Sequence, residues 1–101
     1  MSANSHPVAV TALFQAKTGK VDELRSLLKT LVAPTRLEAG CIRYDLHENP
    51  DATGSFVFLE SWRNEPDLER HLASVHVQAF RTKVPDLIAA PPVITLWRQI
   101  A

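Results

Sequence analysis

Residues 41–62 read "CIRYDLHENPDATGSFVFLESW", and the topology of the chain hangs on them. In the first eight residues Ile42, Tyr44 and Leu46 fall on one side, and Arg43, Asp45 and His47 on the other. Such alternation marks a strand with one face in water, as at the edge of a sheet. "NPDATG" gathers turn formers. "SFVFLESW", residues 55–62, then predicts a second strand that closes a hairpin. Phe56, Phe58, Glu60 and Trp62 share one of its faces, and Val57, Leu59 and Ser61 the other, so both faces are mostly apolar.

On the N-terminal side of this hairpin, residues 8–16, "VAVTALFQA", predict a strand that is apolar on both faces. "KTGK" is a turn, with Thr18 as the expected cap of the helix that follows. The stripe Val21, Leu24, Leu27, Leu28 and Leu31 predicts one helix over residues 20–38. Pro34 is expected to kink or tighten its last turns, and Gly40 to close it. On the C-terminal side, Asn64 caps a second helix with Pro66 in its first turn. Helical pattern continues through "VHVQAFRTKVPDLIA", with bends expected near Ser74 and Pro85. "PPVITLWRQI" closes the chain as a fourth strand. The order βαββαβ is an α+β, ferredoxin-like arrangement with a four-stranded antiparallel sheet. Two helices cover one face of such a sheet. The first and third strands are apolar on both, so a second copy is expected to cover the rest as a two-fold homodimer.

A chain of 101 residues is expected to form one domain, here over residues 7–101, behind a small polar tail at 1–6. Eleven basic residues balance eleven acidic ones, and no Lys/Arg cluster appears. That argues against nucleic acid or anionic membrane as a main partner. The single cysteine, Cys41, has no internal disulfide partner, which fits a reducing compartment. "MSANSHPVAV" lacks the features of a signal peptide, and no apolar run approaches the ~20 residues of a membrane helix. A cytoplasmic location is the expectation.

"EAGCIRYDLHENP", then "LESW", then "HLASVHVQAF" resemble, in this order and spacing, the antibiotic biosynthesis monooxygenase (ABM) family. The resemblance runs from Val8 to Ile100. It implies a dimeric α+β barrel with a pocket in each subunit between sheet and helices. Some members oxygenate phenolic polycycles or quinols without metal or flavin. Others isomerise small phosphorylated ketones, and a related branch degrades haem. The haem-degrading members carry a tryptophan and a haem-ligating histidine ten residues apart on the second helix. His71 and Arg81 stand at those places here, so the resemblance disfavours haem. With no glycine-rich phosphate loop either, no cofactor is expected.

Within this frame His71, at the margin of the second helix's apolar face, is the candidate base, because imidazole titrates near neutral pH. Glu60, a carboxylate among aromatic residues, must find a donor or hold a proton. It either polarises His71 or pairs with Arg25, Arg43 or Arg98. Trp62 and Phe80 are candidate walls for a flat substrate, with Trp62 and Tyr44 as possible donors to a substrate oxygen. His76 is five residues past His71, about 140° around a regular helix. On an unbroken helix the two cannot share a metal, a bend near Ser74 would change this, and no third ligand is evident at ligand spacing, so no metal is expected. His76 is a candidate substrate contact or a structural residue at the start of the second helical segment. The expected reaction is cofactor-independent oxygenation of a small quinol, phenol or anthrone with O2. Isomerisation of a small (phosphorylated) ketone, and a stress protein that binds a small ligand without catalysis, are the alternatives. A basic pocket mouth would favour the isomerase, and His71 and Glu60 facing away from any cavity would favour binding alone.

Overall fold

The structure, a computed structural model, describes residues 6–101, so most of the expected tail lies outside the described residues. The strands are β1 (Val8–Gln15), β2 (Cys41–Glu48), β3 (Ser55–Trp62) and β4 (Val93–Trp97). The helices are α1 (Val21–Lys29), α2 (Val32–Arg36), α3 (Glu65–Leu72) and α4 (Val75–Lys83). The sheet order is β2-β3-β1-β4 with every neighbouring pair antiparallel, which is the ferredoxin-like arrangement. β2 is an edge strand, as its alternation requires.

Period-two burial selects the face that meets the helices. Val8, Val10, Ala12 and Phe14 of β1 and Phe56, Phe58, Glu60 and Trp62 of β3 are buried, alternating with more exposed neighbours. Leu24, Leu28 and Leu31 from the first helical region and Leu68, Val77 and Phe80 from the second join this layer in one core. The opposite sheet face has no helix over it, and Leu13, Val93 and Trp97 stand 43–57% exposed there. No helix among the described residues is long and apolar enough to cross a membrane.

Three local expectations need correction. The segment 20–38 is two helices, broken at Thr30–Leu31. Pro34 explains the break, because it offers no N–H to the Thr30 carbonyl and its ring crowds that carbonyl. Thr18 does not cap α1. It sits with Gly19 (φ 79°) in a tight turn closed by Lys20 N–H to the Lys17 carbonyl at 3.0 Å, and Lys20 holds the cap position without a side-chain bond. Ile42 does not share the buried face of Tyr44. A register shift between Cys41 and Arg43 turns it outward, to 62% exposure.

The second helical region follows its sequence closely. The Asn64 side chain accepts the Asp67 N–H at 2.9 Å, and Pro66 lies in the first turn of α3. Ser74 ends α3 and caps α4, accepting the Val77 N–H at 3.4 Å. Asn64→Ala is expected to cost about 1 kcal/mol in urea unfolding, as loss of one cap does. An unchanged midpoint would show that the neighbouring Asp67 contacts hold the turn without it.

Candidate active site

A cavity of about 110 Å³ lies between the sheet and α3–α4. Phe14, Phe58, Phe80 and Tyr44 give it an aromatic wall, and Leu31, Val77 and Ile94 add aliphatic surface. The rings pack in ordered contacts, with Tyr44 stacked on Phe58 at 4.7 Å and Phe80 edge-on to Phe14 at 5.7 Å. Glu60 and His71 are its buried polar lining, and exposed Arg81 stands at its rim. A larger cleft, of about 750 Å³ and lined by Lys20, Asp22, Lys83 and Asp86 among others, runs beside α1. It is open and contains none of the buried polar residues.

His71 is 3% exposed on the inner side of α3. Its ring lies against Trp62 with centroids 4.6 Å apart, and 5.5 Å from Tyr44. Nδ1 is 2.6 Å from Oε2 of Glu38, a residue in the turn between α2 and β2. An ionised carboxylate only accepts, so Nδ1 carries the proton and Nε2 keeps its lone pair. Nε2 has no protein partner among the described residues and is the nitrogen left to the cavity. Burial pulls the imidazole below its ordinary value, against the upward pull of Glu38, so the ring is neutral at neutral pH.

Glu60 is in the cavity wall but does not polarise His71. Its Oε1 accepts the indole N–H of Trp62 at 2.9 Å, and the carboxylate beside Nδ1 belongs to Glu38. None of the arginines considered for Glu60 reaches it. Arg25 makes paired bonds of 2.9 Å to Glu48, and Arg43 binds Asp45 at 2.6 Å. Arg98 has no ion pair among the described residues. Burial pushes the Glu60 carboxyl up to about 7, and the Trp62 hydrogen bond only partly offsets it. Burial first, then the charge of Glu60, also raises Tyr44, which stays a phenol and a possible donor.

The other sequence candidates separate. Phe80 lines the cavity. Trp62 is fully buried behind it, and its N–H is already bound to Glu60. His76 is outside the lining. The helix breaks at Ser74, where a bend is expected, so the divergence of about 140° on a regular helix does not apply. His76 Nε2 reaches the same Glu38 oxygen at 3.1 Å. Glu38 is the residue that the sequence reading missed. It is 33 residues from His71 in the chain, and a carboxylate at a helix end carries no sign of such a partner. Asp67 was missed too. It is 1% exposed, packs under Gly40 and is clamped by Arg63 and Arg70.

A family model described as antibiotic biosynthesis monooxygenase matches residues 7–83. The chain belongs to the antibiotic biosynthesis monooxygenase family. It is 38% identical over 90 residues to Rv0793 of Mycobacterium tuberculosis, covering 89% of this chain and 88% of that one. The solved structure of Rv0793 superposes with a TM-score of 0.89 over 94% of this chain and 96% of the other, at 36% identity. PA3566 of Pseudomonas aeruginosa superposes with a TM-score of 0.91, at 33% identity, over 99% of this chain and 100% of its own. A Synechocystis protein, sll1783, is 35% identical over 92 residues, which is 91% of this chain and 63% of that longer one. ABM membership therefore rests on nearly the whole fold, including the elements that carry Glu38, Glu60 and His71.

Proposed function

We propose that this ABM protein is a cofactor-independent monooxygenase that oxidises a small phenol or quinol with O2. The observation that carries the reading is the buried His71, with Nδ1 held by Glu38 and Nε2 left to an aromatic cavity. Glu38 orients the ring and stabilises the imidazolium that forms when Nε2 takes the phenolic proton. The electron-rich phenolate passes an electron to O2, the resulting radical pair joins as a hydroperoxide on a ring C–H carbon, and loss of water from that C–H and O–O leaves one oxygen as the new carbonyl of a quinone. Glu60 in its protonated form and Tyr44 are the donors placed to meet negative charge on oxygen. At about 110 Å³ the cavity is well below the ~300 Å³ of ordinary drug-sized pockets, which favours a single ring over a tricyclic anthrone. The reading includes a homodimer formed through the uncovered sheet face, supported by exposed Leu13, Val93 and Trp97, and a cytoplasmic setting.

One observation favours a second reading. Arg81 stands at the cavity rim and has no carboxylate partner among the described residues. A cation there suits an anionic substrate, so an isomerase of a phosphorylated ketone, with His71 and Glu60 moving protons beside the carbonyl, is the alternative. Binding without catalysis has less support, because His71 and Glu60 both face the cavity.

Oxygen uptake decides between these. Chelator-treated protein is mixed with phenols, reduced naphthoquinols and anthrones at pH values from about 6 to 8, and autoxidation is subtracted. The expected result is protein-dependent uptake, greatest with the smaller rings, that falls roughly 100-fold in His71→Gln. Uptake that survives in the variant removes His71 as the base. No uptake with any substrate, together with deuterium exchange beside the carbonyl of a phosphorylated ketone, replaces the monooxygenase with the isomerase.

A further inference from the structure

The geometry points to a binding site for a zinc-class divalent transition ion at Glu38, His71 and His76, whose occupation turns the cavity-facing nitrogen of His71 from an acceptor into a donor. The binding stands on geometry alone. The inhibition that follows from it rests on the base role proposed above.

Three elements bring the ligand atoms together. His71 comes from α3, His76 from the first turn of α4, and Glu38 from the turn before β2. One ligand atom from each of Glu38, His71 and His76 lies within 4.8 Å of the other two, and Glu38 Oε2 itself touches both His71 Nδ1 and His76 Nε2. Two imidazoles and a carboxylate suit Zn²⁺, Co²⁺ or Fe²⁺ and leave a fourth position free for water. Around a tetrahedral ion with bonds of about 2.0–2.1 Å, neighbouring ligand atoms stand about 3.3 Å apart. The Glu38 oxygen is 2.6 Å from His71 and 3.1 Å from His76, so it has to retreat by less than an ångström. The Glu38 side chain makes no other hydrogen bond among the described residues, and its backbone is outside the helix. The retreat therefore breaks nothing else. His71 is held in place by Trp62, and His76 is partly exposed, which gives an ion a way in. The Ser74 hydroxyl, 3.3 Å from His76 Nε2, can hold a water at the open position.

The consequence follows from imidazole chemistry. Without an ion, Nδ1 donates its proton to Glu38 and Nε2 has a lone pair for the cavity. With Nδ1 on the ion, a neutral ring must carry its proton on Nε2. The cavity then faces a donor, and a reaction that begins with proton removal stops. Filling this site is expected to inhibit the protein, in contrast to the metal sites that generate a nucleophile at the reaction centre.

The test uses Zn²⁺ and Co²⁺ with the whole chain. Calorimetry is expected to give one Zn²⁺ per chain, and Co²⁺ to show the visible bands of a four-coordinate ion. Glu38→Gln and His76→Ala should each weaken Zn²⁺ binding at least tenfold with unchanged circular dichroism, while His47→Ala, on the exposed strand surface, leaves it intact. Nitrogen-15 spectra of the imidazoles are expected to show His71 protonated at Nδ1 without metal and at Nε2 with it. Binding that survives both ligand variants, or that is lost in His47→Ala, overturns the site. Binding without the change of His71 tautomer overturns the switch. The spectra need no turnover, so a failure of the monooxygenase reading appears only in the oxygen-uptake assay.

Discussion

Glu60→Gln is expected to stabilise the protein above neutral pH by about 3 kcal/mol and to change little near pH 4.5. Glu60 is 7% exposed, between Val10 and Tyr44 in the sheet register, with Trp62 Nε1–H as its donor. Its carboxyl is raised from an ordinary 4.5 to about 7, chiefly by burial, with a smaller contribution from the charge of Glu38. For an acid with a raised folded value, the unfolded chain ionises first. Between about pH 4.5 and 7 the folded state therefore holds the extra proton, and stability falls as pH rises. Above that window both states are ionised and the loss is complete. Glutamine keeps an oxygen to accept the Trp62 N–H and has no charge to bury, so the variant loses the slope. Thermal unfolding from pH 4.5 to 8.5 at fixed protein concentration measures this, and the gain at the alkaline end should exceed about 10 °C. A wild-type profile that is flat or rising across the window would mean that water or a rearranged cavity solvates Glu60.

A stability cost of this kind at a cavity wall is a reason to place Glu60 in function. A protonated carboxyl that titrates near neutral pH can give and recover a proton, which a glutamine cannot. Glu60→Gln should therefore be more stable and less active, a pairing that a purely structural glutamate would not show. Trp62 serves this arrangement from behind, holding one Glu60 oxygen and backing the ring of His71.

How much of this was legible follows from which forces act locally. The strands were readable because side chains alternate by strict geometry, and the run Phe56, Phe58, Glu60, Trp62 needed no tertiary information to share a face. The cap at Asn64 and the break at Ser74 were readable for the same reason, since capping acts within four residues. Glu38 was not readable. Its link to His71 spans 33 residues and exists only because the turn at 38–40 folds against the start of α3. The place of His76 at the start of the second helical segment was readable from the Ser74 bend, but its approach to Glu38, 38 residues away in the chain, was not. The Thr30 break depends on one missing hydrogen bond and the outward turn of Ile42 on one unpaired residue in the ladder, and hydrophobic spacing registers neither.

Gly40→Ala is expected to cost roughly 3–5 kcal/mol and to dismantle the site along with the fold. Gly40 has φ 83°, a conformation that strains any residue with a Cβ. An added Cβ would also stand 2.5 Å from the carboxyl carbon of Asp67 and 2.7 Å from its Cβ, well inside contact distance. Asp67 has nowhere to retreat. It is 1% exposed, takes a 2.8 Å bond from Arg63 Nε, is held by Arg70, and gives its own N–H to the Asn64 cap. The Gly40 carbonyl is fixed as well, accepting the Arg63 N–H at 2.8 Å. Relief must come from moving the start of α3 away from the 38–40 turn, which pulls His71 away from Glu38. Gly19→Ala separates strain from clash, because φ there is 79° but nothing lies within 4 Å of the added carbon. That variant should lose only about 1–2 kcal/mol, the cost of the left-handed backbone alone. Urea unfolding of both, with Asp67→Gly alone and combined with Gly40→Ala, completes the test, because glycine removes both the carboxyl and the Cβ that the new carbon meets. The clash predicts that the double variant loses clearly less than the sum of its single losses, by about 1 kcal/mol or more. Simple additivity would mean that the carboxylate yields to alanine without disturbing α3, and that the turn carrying Glu38 is not set by this contact.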